Sequence, residues 1–251
     1  MASLVAEFGW PTLLAIAVAA LVTSSIHGAI GVAGGLLMTA ILALLIGVRP
    51  SVPIMSVALT ISHASRSLMH LQALDRKAYV IVIITSFPFI ILTGFIYAML
   101  PVDVLAFILA LIIFTAIPMR HWARTREINS GPRVLGSAGA VYGFFAGASI
   151  GAGAVLSPFL LGFGLAKEAF VATMAAIAFS TNVVRIGAFT GADLMTSQYL
   201  LLGLIVGIIM IPGNYIGRSM LRRLSVVRHG QLVDAMAALG ALNFLYLALR
   251  S

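Results

Sequence analysis

Residues 134–165 read VLGSAGAVYGFFAGASIGAGAVLSPFLLGFGL, a stretch without one charged side chain, interrupted by the run Gly147-Ala148-Ser149-Ile150-Gly151-Ala152-Gly153. Apolar sequence on either side of such a break is too continuous for a surface helix, which needs a polar face toward water. It is also too continuous for a barrel strand, which alternates apolar and polar residues, so a β-barrel is excluded. The rest of the chain has the same character. Hydrophobic residues make up 61% of the 251 and charged residues 9%, and the mean hydropathy is +1.13. A soluble domain is roughly a quarter charged, and no core of this size hides so much apolar surface from water. The solvent for most of the chain is a bilayer, and the fold class is an all-α polytopic membrane protein.

Apolar stretches fall near 11–30, 34–47, 51–71, 78–100 and 103–119, then near 134–150, 153–165, 168–189, 197–217 and 231–249. Several reach the ~20 residues that a spanning helix needs. The second and seventh are nearer to half a bilayer. With ten segments, one face receives Arg76, Lys77, Arg120, Arg124, Arg126, Arg133, Lys167, Arg218, Arg222, Arg223 and Arg228, while the other receives little beyond Arg49 and Arg250. The positive-inside rule makes the first face cytoplasmic, with both termini outside, in a plasma (bacterial inner) membrane. The net charge of +8 thus belongs to membrane topology and not to a nucleic-acid surface. Without cysteine, disulfides and thiolate chemistry are excluded. Glu7 is the only early charge, so the first apolar run reads as a retained span and not a secretory signal. Segments one and two, and six and seven, fit these charges equally well as crossings or as re-entrant hairpins.

A shift of about 119 residues, of the kind expected in inverted-repeat transporters, lays Gly28 and Ala29 over Gly147 and Ala148, and Gly34 over Gly153. It also lays Ser62 over Thr181, His63 over Asn182, Arg66 over Arg185 and Gly94 over Gly213. Five segments per half make the second half inverted. The chain divides into a first repeat at 1–121, a basic cytoplasmic connector at 122–133 and a second repeat at 134–251.

Both halves carry a glycine-rich break, Gly31-Val32-Ala33-Gly34-Gly35 and the run ending at Gly153. A short helix starting after each break presents unpaired N–H groups and a positive dipole end, which suits an anion. The alternative is that these glycines only let helices pack closely. Polar groups inside apolar segments are functional suspects. Ser62, His63 and Arg66 share one region of the third segment, and Thr181, Asn182 and Arg185 repeat it in the eighth. A guanidinium offers a fork of donors for an oxyanion, and no acidic residue lies within either segment. The competing reading places Arg66 roughly 20 Å and Arg185 roughly 25 Å into their segments, close enough to the exit face to snorkel. The candidate substrate-binding residues are Gly34, Gly35, Ser62, His63, Arg66, Ser149, Gly153, Thr181, Asn182 and Arg185. His27 and His63 are candidate proton relays. His63 and His70, seven apart, have no carboxylate or thiol beside them, and no metal or cofactor is expected. His121 and His229 belong to basic connectors. Pro88, Pro118, Pro158 and Pro212 are expected to kink or end helices.

At these residues the chain resembles the TauE/SafE family of sulfite and organosulfonate permeases. The resemblance rests on two halves that each open with a glycine-rich break, on the basic connector, and on Gly151-Ala152-Gly153 followed by Val155-Leu156-Ser157-Pro158. The first break is followed by Met38-Thr39 without the proline. The resemblance implies transport of a sulfur-containing anion such as sulfite, thiosulfate or a small sulfonate like sulfoacetate. It also implies a site made of the breaks and the polar residues of segments three and eight. The expected function is a secondary anion carrier working by alternating access. With no P-loop, it would be driven by the substrate gradient or by a coupling ion, a proton rather than sodium. A passive anion channel shares the basic chemistry, and an intramembrane enzyme would pair Ser149 with His27 but lacks an orienting carboxylate. The expected partners are the anion and membrane lipid, with no nucleic acid and no enzymatic activity.

Overall fold

Helix is the one way for a chain this apolar to satisfy its backbone inside a bilayer without closing a barrel. The computed structural model describes residues 2–30, 33–69, 71–124, 129–165, 167–221 and 226–250, and these form helices and no strand. A short α1 (Ala2–Phe8), unforeseen in the sequence, meets α2 (Trp10–Ile30) at Gly9, whose φ of +75° lets the chain bend by 100°. Next come α3 (Ala33–Ile46) and α4 (Val48–Met69), joined through Gly47 at φ +99°. After a 3-10 turn at Leu71–Ala73 follow α5 (Arg76–Met99) and α6 (Val102–Arg124). The second set is α7 (Pro132–Ala148), α8 (Gly153–Gly162), α9 (Lys167–Gly191), α10 (Ser197–Leu221) and α11 (Val226–Arg250). Asp75 caps α5, accepting from the Ala78 N–H at 2.9 Å, and Pro132 opens α7 where a missing N–H costs nothing. Pro88, Pro118, Pro158 and Pro212 all lie inside helices, so ending a helix is excluded for each of them.

Among the described residues three helices are long and apolar enough to cross a membrane, Arg76–Met99, Glu168–Gly191 and Ser197–Ile216, and the bent α1–α2 pair passes as a fourth. Large side chains such as Leu14, Ile84, Phe107 and Phe114 are exposed on the outside of the bundle, as lipid solvation allows. The helix pair α7–α8 behaves differently. The Ser130 N–H donates to the Gly162 carbonyl at 3.0 Å, so the pair starts and ends at one place. With ten residues, α8 is about 15 Å long, half of a ~30 Å hydrocarbon core. The pair is a re-entrant hairpin, and its break lies inside the bundle.

Register gives the helix directions. Positions 139, 143 and 147 of α7 face Val82, Ser86 and Ile90 of α5, so these two helices are parallel. Along α5 and α9 the matched contacts are Asp75 with Thr173, Tyr79 with Ser180, and Tyr97 with Phe189, again parallel. Gly203 and Gly207 of α10 lie on Val57 and Ala58 of α4, and Asn214 reaches Ser62, so α10 runs with α4. The Arg185–Ser56 hydrogen bond, together with the cavity shared by Leu59, His63, Ala178 and Thr181, makes α4 and α9 antiparallel. The heaviest helix contacts are α5 with α7 and α2 with α10, pairs that exchange under the 119-residue shift.

Candidate functional site

The break between α7 and α8 opens into a cavity of about 320 Å³. Ser149 ends α7 in extended backbone, its N–H and its hydroxyl both donating to the Phe145 carbonyl, at 3.0 and 2.8 Å. Gly151 then takes φ +96°, and the Ala154 and Val155 amides donate to the Gly151 and Ala152 carbonyls at 3.1 and 2.9 Å. The amides of 151–153, where α8 begins, have no acceptor among the described residues. A Cβ on Gly151 would lie 2.7 Å from Leu36 and one on Gly35 3.4 Å from Ile150, so the second break packs directly on the start of α3. Replacing Gly151 by alanine adds left-handed strain to that clash. We expect it to destabilise the protein by about 1–3 kcal/mol, read as a fall in unfolding temperature that Gly164→Ala, with φ +100° but open space, reproduces only in part.

Arg185 sits at the floor of the break and is 3% exposed. Its Nε donates to Ser56 Oγ at 2.9 Å, and its Nη1 donates to the Ala146 and Ser149 carbonyls, both at 2.6 Å. Its Nη2 donates to Asn182 Oδ1. A guanidinium only donates, which fixes Asn182 with its oxygen toward the arginine. The two carbonyls belong to the C-terminal end of α7, where unpaired C=O groups and the helix dipole put about half a negative charge. That end neutralises part of the arginine, the role the sequence had left to a ligand. Four of the five guanidinium N–H groups are thereby engaged, and one on Nη2 has no protein acceptor among the described residues. Asn182 Nδ2 gives one N–H to the Ala178 carbonyl at 2.8 Å, and its other N–H has no acceptor shown among the described residues.

Of the residues singled out in the sequence, Gly35, His63, Ser149, Gly153, Thr181, Asn182 and Arg185 line this cavity together. Ser62 does not. It is buried against α10, where it accepts from Asn214 Nδ2 at 3.1 Å. The surroundings of Gly34 and the side chains of His27, Arg66, His121 and His229 lie outside the described ones, as does all of His70. Sequence reasoning missed Tyr142, whose hydroxyl shares a hydrogen bond of 2.9 Å with Thr181, and Ser56. Tyr142 lies five residues before the break on the face that carries Gly139 and Ala146, which is the one signal that could have found it. The wall toward the start of α9 is apolar, with Phe170, Val171, Met174 and Ala175, and among the described residues no carboxylate lines the cavity.

A helical bundle whose outer surface is this apolar is a polytopic membrane protein, and this one encloses a polar cavity at a broken hairpin. Residues 16–244 match the family model described as Sulfite exporter TauE/SafE, and the chain belongs to that family. Its members are membrane transporters. No curated protein and no solved structure gave a match to the chain.

Proposed function

We propose that the protein is a secondary carrier for a small sulfur-containing anion, sulfite or an organosulfonate such as sulfoacetate, bound in the cavity at the second break. The observation that carries this reading is the gathering, in a cavity that no described carboxylate lines, of N–H donors without an acceptor among the described residues: the amides of 151–153, one N–H of Asn182 and one of Arg185. Donors on three sides of a tetrahedral oxyanion suit a sulfonyl head, and the apolar wall by Phe170 and Met174 suits a short carbon tail. Thr181 adds a hydroxyl, while Ser149, hydrogen-bonded to its own helix, shapes the break. His63, on the cavity wall, is the candidate proton relay, and the sequence adds His27.

In this reading the chain is two inverted repeats, 1–121 and 134–251, joined by the connector 122–133. The opposed directions of α4 and α9 and the exchanged helix pairings support it. In the same reading the Lys167 face is cytoplasmic, both termini lie outside and the membrane is the plasma membrane, with the lysine and arginine distribution as support for the orientation.

Thermal unfolding of the purified protein with sulfite, sulfate, thiosulfate, sulfoacetate, taurine or chloride tests the site. A hundredfold excess over the dissociation constant stabilises by about 2.7 kcal/mol. In Gly153→Ala the added methyl meets only the flexible end of Met174, at 2.6 Å. This variant should keep its unfolding temperature and lose most of the ligand shift. A sulfur-anion shift that survives in Gly153→Ala and in Asn182→Ala would move the site elsewhere, and no shift with any anion would sink the carrier reading.

A further inference from the structure

The two central helices carry matched sequence in unmatched surroundings. Under the 119-residue shift, Val52 and Met55 of α4 correspond to Val171 and Met174 of α9, identical residues in equivalent places. Val52 and Met55 are both 0% exposed, and every residue from Ser51 to Leu59 is buried. Val171 is 42% exposed and lines the cavity with Met174 and Phe170. The side chains are identical, so the difference lies in what packs around them. The cavity reaches toward the Lys167 end of α9, and the corresponding path along the Gly47 end of α4 is filled.

The filled end is fastened by polar contacts. Arg185 on α9 donates through Nε to Ser56 on α4, bridging the two helices, while its Nη1 holds the end of α7. Further out, Tyr97 donates to the Val48 and Arg49 carbonyls at 3.0 and 3.2 Å and packs on Phe189, with ring centroids 5.2 Å apart. Position 175, the counterpart of Ser56, is alanine. The mirror-image closure therefore has no hydroxyl there to receive a guanidinium.

We propose that Arg185 and Ser56 are positioning residues that latch the Gly47 face shut, so that the carrier rests open to the cytoplasmic, Lys167 face. This inference rests on the carrier reading above. The latch joins α4 to α9 by one charge-assisted hydrogen bond, and outward opening must break it. The site residues Asn182 and Ser149 touch the same guanidinium, so a bound anion acts on the latch through Arg185.

The native chain has no cysteine, so single cysteines report without background. Met55→Cys and Met174→Cys would each be labelled with a membrane-impermeant maleimide, from the outside in spheroplasts and from the inside in inverted vesicles. With Ser56 in place, Met174→Cys should react from the inside and Met55→Cys from neither side. Adding Ser56→Ala should raise outside labelling of Met55→Cys by roughly tenfold, the effect of one hydrogen bond to a charged donor, and lower inside labelling of Met174→Cys. Ser56→Thr, which keeps the hydroxyl, should restore the original pattern. If Ser56→Ala leaves both rates unchanged while saturating sulfite or sulfoacetate alters them, the latch is wrong and the carrier stands. If both cysteines label fully from opposite faces in the unmodified latch background, the protein is an open pore, and latch and carrier fall together.

Discussion

Replacing Arg185 by alanine is expected to lower stability by about 3–5 kcal/mol and to abolish transport. The truncation leaves the Ala146 and Ser149 carbonyls and Asn182 Oδ1 without their donor at a buried break. Each orphaned buried acceptor costs about 1–3 kcal/mol, and the three are coupled through one side chain, so their costs do not simply add. The end of α7 also loses the cation that balances its dipole. Arg185→Lys returns the charge but not the geometry. Three donors on one nitrogen cannot reach Ser56, two carbonyls and Asn182 from the positions a planar fork occupies. We expect the lysine variant to recover less than half of the lost stability. Thermal unfolding in detergent alongside uptake into proteoliposomes provides the check. An alanine variant that unfolds near the wild-type temperature would show that the guanidinium does not organise the break.

The second large effect is expected along α7. A Cβ on Gly143 would sit 2.7 Å from Ser86 Cα, and one on Gly147 would sit 2.5 Å from the Ile90 carbonyl oxygen and 3.0 Å from its Cα. These are backbone atoms of α5, so no rotamer change relieves the contact, and the two helices must separate along the most extensive interface in the bundle. Gly143→Ala and Gly147→Ala should each cost about 3 kcal/mol or more, at or beyond the top of the range for overpacking a core, and Gly143→Val should fail to accumulate as folded protein. Gly187→Ala is the control. Its Cβ meets nothing within 4 Å and its backbone is helical, so the change should be neutral within about 1 kcal/mol. Equal unfolding temperatures for Gly143→Ala and Gly187→Ala would refute the close approach of α5 and α7.

By itself, the sequence determined the chemistry that is summed along the chain. Apolar length, the absence of alternation and the placement of charge specify membrane helices, because the cost of burying each residue in lipid is local and additive. Helix positions from α2 to α11 follow within a few residues. The glycine-rich break, the matched pair of polar clusters and the resemblance to TauE/SafE permeases were legible for the same reason, since each is carried by residue identity. The short α1 was missed because seven residues before Gly9 give no periodic signal of their own.

Only the tertiary structure decided what the polar groups face. Half of the groups that hold Arg185 are main-chain carbonyls at the end of α7, which exist at every residue and leave no mark in the sequence. Ser62 and Thr181 match in the repeat, yet one meets Asn214 and the other Tyr142 beside the cavity. Val52 and Val171 are the same residue in equivalent places, one sealed and one open. Residues that a 119-residue shift lays over one another thus meet different neighbours, because burial is set by what packs on a side chain in space and not by its own identity.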